Sequence, residues 1–237
     1  MKYAIVTLAV NTSYFDKVFK HYKDISNKFS GDFIITTDIK ANNVDNVHIN
    51  NIKFDSYETT HGYQPFLFNL KSLAFKAALD KGYDFILYID SDWNILSNLT
   101  ENVLQEAFKT MNKHHLDLIF ERPAEIGGAR ENPSQSFFRN KLVDYHVLEH
   151  TKWDKAHVMN EQIFLIKNSW KYRYFVNRWE QFLYYSIYNN IWNYAEGFEA
   201  GISAMEAEMK SDYYLFKHIF RSCFEFYDKT NKQYIRF

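Results

Sequence analysis

The fold of this chain is decided by the stretch Lys81-Gly82-Tyr83-Asp84-Phe85-Ile86-Leu87-Tyr88-Ile89-Asp90-Ser91-Asp92-Trp93. The run from Phe85 to Ile89 is apolar and aromatic, is too short for a core helix, and follows a Lys-Gly turn. Such runs are typical of strands that are buried on both faces of a sheet. Asp90 and Asp92 follow directly. The sequence therefore predicts two carboxylates at the carboxyl edge of a parallel sheet, where ligands of open α/β sheets bind.

Asp90 and Asp92 are the predicted metal ligands. Side chains two residues apart on an extended strand lie on the same side, and two carboxylates can share one hard cation where the backbone turns. In the alternative, both residues only cap a turn, where aspartate is common. We favour a metal site, because paired carboxylates repel each other unless a cation or a proton relieves them.

The segment Phe85 to Trp93 resembles the Asp-x-Asp region of glycosyltransferases with the GT-A fold. In that family the pair holds Mn²⁺ or Mg²⁺ against the diphosphate of a nucleotide sugar. The resemblance covers most of the chain in the order of its elements. It implies an α/β fold with a single GT-A-like, Rossmann-like domain, in which helices flank a mostly parallel central sheet. It also implies a uridine diphosphate donor, with guanosine diphosphate as the alternative.

A second segment, residues 158–169, is similar to a strand of retaining GT-A enzymes such as plant xyloglucan xylosyltransferase and the histo-blood-group types. Gln162 stands where a glycine is common in those enzymes. The similarity implies that the anomeric configuration of the sugar is retained. It also makes Asn160, Glu161 and Gln162 candidates for contact with the sugars, with Asn160 assigned to the acceptor.

Residues 196–204 loosely resemble an acidic segment of the same retaining enzymes, with Glu199 in the acidic position. By analogy with glycosidases, a carboxylate or amide beneath the sugar would steady an oxocarbenium-like centre. Glu199, Glu161 and Gln162 are therefore the candidate catalytic residues. Glu206 and Glu208, further along the same predicted helix, are expected on a solvated face.

Length and composition indicate one sizeable domain. The chain has 237 residues with only 3 Pro and 7 Gly, and it contains no linker-like or repetitive tract. We expect a donor-nucleotide half over residues 1–120 and an acceptor half over residues 121–237. The 28 basic and 29 acidic residues nearly balance, which argues against a surface that binds nucleic acid throughout.

The first residues and the cysteine usage suggest a cytoplasmic protein. The apolar run that begins at Tyr3 is too short to span a membrane and has no cleavage pattern after it, so we expect a strand rather than a signal peptide. The single cysteine, Cys223, excludes a disulfide within the chain, and we expect it to be a small core residue.

Short apolar runs predict strands over residues 3–10, 32–37, 47–52 and 116–120, with the strand over 47–52 at an edge. The Asn11-Thr12-Ser13 turn should lead into a first helix. The spacing of Asn98 and Glu101 predicts an N-cap and its returning Glu before another helix. Residues 170–188 are predicted to be helical, with Tyr174, Trp179, Phe182 and Leu183 in the core.

Donor-binding residues are expected where the first two strands end and beside the metal pair. The backbone around Leu8, Ala9 and Val10 should surround the base and ribose, and Asp38 could bond a ribose hydroxyl or simply belong to a turn. In the family that the chain resembles, a basic residue on the helix before the Asp-x-Asp strand lies near the donor phosphates. Lys71 holds that place, with a solvated lysine as the alternative. Ser91, between the two carboxylates, is the remaining donor candidate.

Residues 121–140 form the most irregular stretch of the chain, and loops of this length are usually functional. We expect this loop to line the acceptor site through Arg122, Arg130 and Arg139, with Lys141 adding to a basic run. The alternative is that these arginines are solvated. If they act, the acceptor is anionic: a glycan or, less favoured, a nucleic acid whose flipped base presents a hydroxyl.

The function that these features favour is metal-dependent hexosyl or pentosyl transfer from a nucleotide sugar to a hydroxyl acceptor. One alternative is a phosphatase of the haloacid-dehalogenase type, with Asp90 as nucleophile and Asp92 as acid and base. That motif usually lies on the first strand, whereas two strands precede it here. The other alternative is a carbohydrate- or protein-binding module without catalysis.

Overall fold

The computed structural model describes residues 1–53, 70–120, 123–124, 158–159, 162–188, 196–228 and 233–236. The strands are β1 (Tyr3–Leu8), β2 (Asp32–Thr37), β3 (Val47–Asn51), β4 (Phe85–Ile89), β5 (Trp93–Ile95), β6 (Leu118–Phe120), β7 (Pro123–Ala124), β8 (Val158–Met159), β9 (Ile163–Lys167), β10 (Ser211–Asp212), β11 (Phe224–Asp228) and β12 (Gln233–Arg236). The helices are α1 (Thr12–Ile25), α2 (Lys71–Lys76), α3 (Glu101–Lys113), α4 (Trp170–Tyr188), α5 (Glu196–Glu206) and α6 (Tyr214–Ile219).

The central sheet has seven strands in the order β10-β6-β9-β4-β1-β2-β3. The pairs β1–β2, β1–β4, β2–β3 and β10–β6 are parallel, while β9 runs antiparallel to both of its neighbours. The mostly parallel α/β sheet predicted from the sequence is confirmed, with β3 at its edge. Because β1, β2 and β4 are parallel, their carboxyl ends meet at one edge of the sheet.

Helices cover both faces of this sheet, because side chains alternate between the two faces along a strand and all those of β1 and β4 are buried. On one face α2, α4 and α5 pack over β1 and β4, and Phe75 stacks on Tyr88 with ring centroids 4.7 Å apart. On the other face α1, α3 and α6 form a second core, in which Phe85 and Phe108 stack at 4.4 Å. Successive side chains of β4 therefore lie in different cores, one on each face of the sheet.

A small antiparallel sheet follows the motif. β5 pairs with β11, and β11 pairs with β12. Trp93 is 3% exposed and lies against Phe226, with the two ring centroids 4.7 Å apart. The chain directly after Asp92 is therefore held in a second sheet. This pairing limits how far Asp90 and Asp92 can move.

One of the two predicted helix starts is confirmed, and the other is wrong. The predicted turn at Asn11-Thr12-Ser13 leads into α1, and Asn11 caps this helix by accepting a hydrogen bond from the backbone N–H of Tyr14. The predicted cap at Asn98 is wrong, because Thr100 caps α3 by accepting from the backbone N–H of Val103. Glu101 does not reach back to the cap, since its carboxylate accepts hydrogen bonds from Tyr3 and Ser30 instead.

Two predicted environments on α4 and α5 are also wrong. Tyr174 is 43% exposed rather than in the core, because the buried stripe of α4 runs through Trp179, Phe182 and Leu183. Glu206 does not lie on a solvated face, since its carboxylate accepts from the guanidinium of Arg178 at 2.6 Å. The observed strand limits differ from the predicted ones by at most two residues. The strand predicted over residues 116–120 begins at Leu118.

Cys223 is buried, as expected for a core residue, and burial raises the pKa of its thiol to about 11. The thiol is therefore protonated at neutral pH and a poor nucleophile. Among the described residues, no helix has the length and apolar character needed to cross a membrane.

Candidate active site

A cavity of about 160 Å³ opens at the carboxyl edge of the sheet, between the ends of β1 and β4. Its described lining residues are Leu8, Val10, Asn11, Tyr14, Lys71, Tyr88, Asp90, Ser91 and Asp92. Leu8, Val10, Lys71, Ser91 and both carboxylates were predicted site residues. The parallel arrangement of β1 and β4 brings these distant parts of the sequence together.

Asp90 lies at the centre of this cavity in a network of hydrogen bonds. The ammonium of Lys71 donates to Oδ2 at 3.0 Å, and the hydroxyl of Tyr88 donates to Oδ1 at 2.5 Å. Lys71 is 4% exposed, so the alternative of a solvated lysine is wrong. A buried lysine needs such a partner, because transfer of an unpaired ammonium out of water is costly.

The environment of Asp90 disfavours its negative charge in the absence of a cation. The pKa of Asp90 is raised to about 6, chiefly by burial. Lys71 and Tyr88 lower this pKa, whereas the nearby charge of Asp92 raises it. The two carboxylates therefore repel each other, as expected for a pair that shares a counter-ion.

The loop after β4 is held in place by backbone contacts. The N–H of Trp93 donates to the carbonyl of Asp90 at 3.0 Å, which closes a tight turn around Ser91. Lys17 of α1 donates to the carbonyl of Asp92 at 3.2 Å. These contacts leave the side chain of Asp92 exposed at the cavity, so its oxygens are accessible to a ligand.

The residues present fit a hard divalent cation. Among the described residues, no group of three or more His, Cys, Asp or Glu side chains forms a metal cage. Mg²⁺ and similar ions are commonly held in a different way, by one or two carboxylates, with phosphate oxygens and water completing the shell. Asp92 and Asp90 supply two such carboxylates, and their mutual repulsion is what a cation would relieve.

The turn from β1 into α1 forms the opposite wall of the cavity. Asn11 has a φ of 69° and a ψ of 160°, a combination that residues other than glycine rarely adopt. Asp38, at the end of β2, accepts from the backbone N–H of Asn11 at 3.0 Å. Ala9 is buried and donates from its backbone N–H to the carbonyl of Thr36 at 2.9 Å. Asp38 thus supports the cavity wall without being among its lining residues.

Gln162 and Glu199 occupy different positions relative to the cavity. Gln162 precedes β9, and its backbone carbonyl accepts from the backbone N–H of Asp90 at 2.8 Å. Because β9 is antiparallel to β4, its amino end lies beside the carboxyl end of β4. Glu199 is fully buried on α5 and accepts from the indole of Trp179 at 3.1 Å. It is not among the described residues that line the cavity.

The other candidates lie outside the described residues. They are Arg122, Arg130, Arg139 and Lys141 of the predicted acceptor region, and Asn160 and Glu161 of the segment 158–169.

Sequence reasoning overlooked Asn11, Tyr14, Lys17 and Tyr88 as site residues. Tyr88 had a usable signal, because it is two residues before Asp90 on the same strand and so faces the same side. Tyr14, whose ring is 37% exposed, had none beyond its nearness to a helix cap. Lys17 contacts Asp92 only through tertiary packing of α1 against the motif.

The sequence matches no protein-family model, and no curated protein is significantly similar to it. Solved structures of similar shape exist. The galactosyltransferase LgtC, solved with donor and acceptor sugar analogues, aligns with a TM-score of 0.48 at 11% identity over 90% of this chain and 73% of that one. Core-mannan synthase A of Aspergillus fumigatus, in its Mn/GDP form, aligns with a TM-score of 0.56 at 10% identity over 90% and 72%. The likeness to the mannan synthase and the order of the sheet show that the chain has the GT-A glycosyltransferase fold.

Proposed function

We propose that this protein is a metal-dependent glycosyltransferase that moves a sugar from a nucleoside diphosphate to a hydroxyl acceptor. The observation that carries the proposal is the arrangement of Asp90, Asp92 and Lys71 around one cavity at the carboxyl edge of the sheet. This arrangement combines two carboxylates for a cation with a buried ammonium, which suits a ligand that carries several negative charges.

The leaving diphosphate makes the main electrostatic demand of such a reaction. When bound by Asp92 and Asp90, a divalent cation would neutralise negative charge that develops on the diphosphate as its bond to the sugar breaks. Lys71 supplies a second positive charge in the same cavity. Charges that are fixed before the reaction need no reorganisation, so they stabilise the transition state more than water does.

The nucleoside is placed along the wall formed by β1 and α1. Tyr14 offers an exposed aromatic ring to a base, and base–aromatic stacking contributes about 1–3 kcal/mol. Leu8 and Val10 line the same cavity as Tyr14. We assign the ribose contacts to the backbone around Leu8, Ala9 and Val10 and to Asp38, which is bonded to Asn11. We propose uridine diphosphate as the carrier, on the resemblance of the sequence to GT-A enzymes. Guanosine diphosphate is the alternative, because the mannan synthase was solved with GDP.

The sugar is placed next to the amino end of β9, with Gln162 beneath it. This choice rests on the backbone hydrogen bond from the N–H of Asp90 to the carbonyl of Gln162, which fixes Gln162 beside the motif, and on the resemblance of residues 158–169 to retaining enzymes. We propose retention of the anomeric configuration on the same grounds. Glu199 is held by Trp179 inside the fold, and we propose that it supports the site rather than contacts the sugar.

The acceptor is proposed to be an anionic glycan bound by residues 121–140, through Arg122, Arg130 and Arg139. The basic run in an otherwise neutral sequence supports this assignment. Nothing in the described residues favours a nucleic acid. The phosphatase alternative loses support, because one oxygen of its proposed nucleophile, Asp90, is held by Lys71 and the other by Tyr88.

A thermal-shift screen tests the proposal without knowledge of the acceptor. UDP, GDP and their sugar conjugates are each added with and without Mn²⁺, because a ligand that binds only the native state raises its stability. We expect a rise in melting temperature that requires nucleotide and Mn²⁺ together. The same ligands should produce no rise with Asp92→Asn, and an equal rise with that variant would contradict the assignment of the cavity.

A further inference from the structure

The buried ion pair of Lys71 and Asp90 bears on how the cavity takes up its ligands. Lys71 is on α2, which packs against β1 and β4, and its ammonium lies 3.0 Å from Oδ2 of Asp90. The side chains are 5% and 18% exposed, so little water screens their interaction. Since Tyr88 donates to Oδ1, both oxygens of Asp90 already have donors before a cation arrives.

This arrangement has an electrostatic consequence. A divalent cation that binds Asp90 and Asp92 must come close to the Lys71 ammonium and weaken its pairing with Asp90. The like charges then repel in a partly buried cavity, where screening is weak. A diphosphate removes the conflict, because its oxygens can contact the cation and the ammonium at once.

We propose that Lys71 is the resident counter-ion of Asp90 and is exchanged for the metal only when a diphosphate arrives to take its ammonium. The inference rests on the proposed function and adds a binding order to it. Metal alone binds weakly, and metal and nucleotide each strengthen the binding of the other. By thermodynamic linkage, this mutual strengthening has one value whichever ligand is varied.

The test measures Mn²⁺ affinity with and without saturating UDP or GDP, by counting free Mn²⁺ with electron paramagnetic resonance. It is run at pH 8, which keeps Asp90 ionised in the wild type, where its pKa is about 6, and leaves about two pH units for the rise in that pKa when Lys71, which lowers it, is removed. In the wild type we expect nucleotide to tighten Mn²⁺ binding at least tenfold. With Lys71→Met, Mn²⁺ alone should bind about tenfold more tightly, because a neighbouring positive charge lowers the affinity of a carboxylate for a proton by about one to three orders of magnitude and opposes a metal cation in the same direction. The factor by which nucleotide tightens Mn²⁺ binding should be correspondingly smaller in this variant than in the wild type.

Lys76→Met is the matched control. Lys76 is on the same helix and also pairs with a carboxylate, Glu180, at 2.6 Å, but it is not among the cavity-lining residues. Its Mn²⁺ affinity should equal that of the wild type. Lys71→Gln provides a second replacement, which keeps a polar side chain in case the methionine variant does not fold.

The outcomes distinguish the two proposals. If the wild type binds UDP or GDP with Mn²⁺, but Lys71→Met and Lys71→Gln bind Mn²⁺ alone no more tightly than it does, the exchange mechanism is overturned and the proposed function stands. If the wild type binds neither nucleotide at any Mn²⁺ concentration, the proposed function itself fails.

Discussion

The backbone N–H of Asn11 donates to the carboxylate of Asp38 at 3.0 Å, and this bond joins the ends of β1 and β2 at the wall of the cavity. It holds the turn in which Asn11 has a positive φ of 69°. Asp38 therefore shapes the proposed nucleoside site, whether or not it also contacts ribose.

Replacement of Asp38 by Ala should weaken nucleotide binding by about ten- to a hundredfold, because a hydrogen bond to a charged group contributes about 1.5–3 kcal/mol and each 1.4 kcal/mol is a factor of about ten. Isothermal titration with UDP and GDP in the presence of Mn²⁺ measures this loss. Asp16→Asn is the control, since it removes an exposed carboxylate from α1 without touching the turn. Unchanged affinity in Asp38→Ala would remove Asp38 from the site.

The ring of Tyr14 should contribute to nucleotide affinity by stacking. Tyr14→Ala is expected to lose between about five- and a hundredfold in affinity, the range for one base–aromatic stack. Tyr14→Phe keeps the ring and should bind as the wild type does. If both variants lost affinity equally, the hydroxyl rather than the ring would be responsible and the placement of the base would be wrong.

Substitutions of Gln162 and Glu199 should affect kcat differently, which distinguishes the roles proposed for the two residues. Gln162→Ala should lower kcat by about a hundredfold, the cost of removing one stabilising group next to a developing charge. Glu199→Gln keeps an oxygen that can accept from Trp179, so kcat should fall less than tenfold. The reverse pattern would restore Glu199 as the residue beneath the sugar. NMR of the first-formed product then reads the anomeric outcome, and an inverted linkage would refute retention.

His21 should make stability depend on pH. Its Nε2 accepts from the backbone N–H of Ile95 at 3.1 Å, and burial, followed by the charge of Lys17, lowers its pKa. The folded state therefore favours neutral His21, and its contribution to stability is lost as pH falls below the unfolded pKa of about 6.5.

Asp90 has the opposite effect, because its raised pKa makes the metal-free protein more stable as pH falls from about 6 towards 4. Comparison of the wild type with His21→Gln cancels that contribution. Urea unfolding at pH 7.5 and 5.5 should show a smaller decrease in stability for His21→Gln, whose amide oxygen can accept from Ile95. Equal decreases would show that His21 is not held neutral.

The parts of the fold that the sequence predicted are those determined by local pattern. The apolar run of β4 and the polar turn at Asn11 specify a strand and a helix start over a few residues. The α3 cap was mispredicted because Glu101 has tertiary partners, Tyr3 and Ser30, that no local spacing reveals. The burial of Lys71 was equally hidden, since it depends on α2 packing against β1 and β4.

The most direct test of the central claim is the release of nucleoside diphosphate from UDP-sugars and GDP-sugars without an acceptor. The account predicts slow release by the wild type that requires Mn²⁺ or Mg²⁺, and a loss of at least about a hundredfold in Asp92→Asn, since the charge at the leaving group is the largest contribution to catalysis. Asp92 is exposed, so this variant should keep its fold. No release from any of these donors by the wild type with either metal, or undiminished release by Asp92→Asn, would contradict the account.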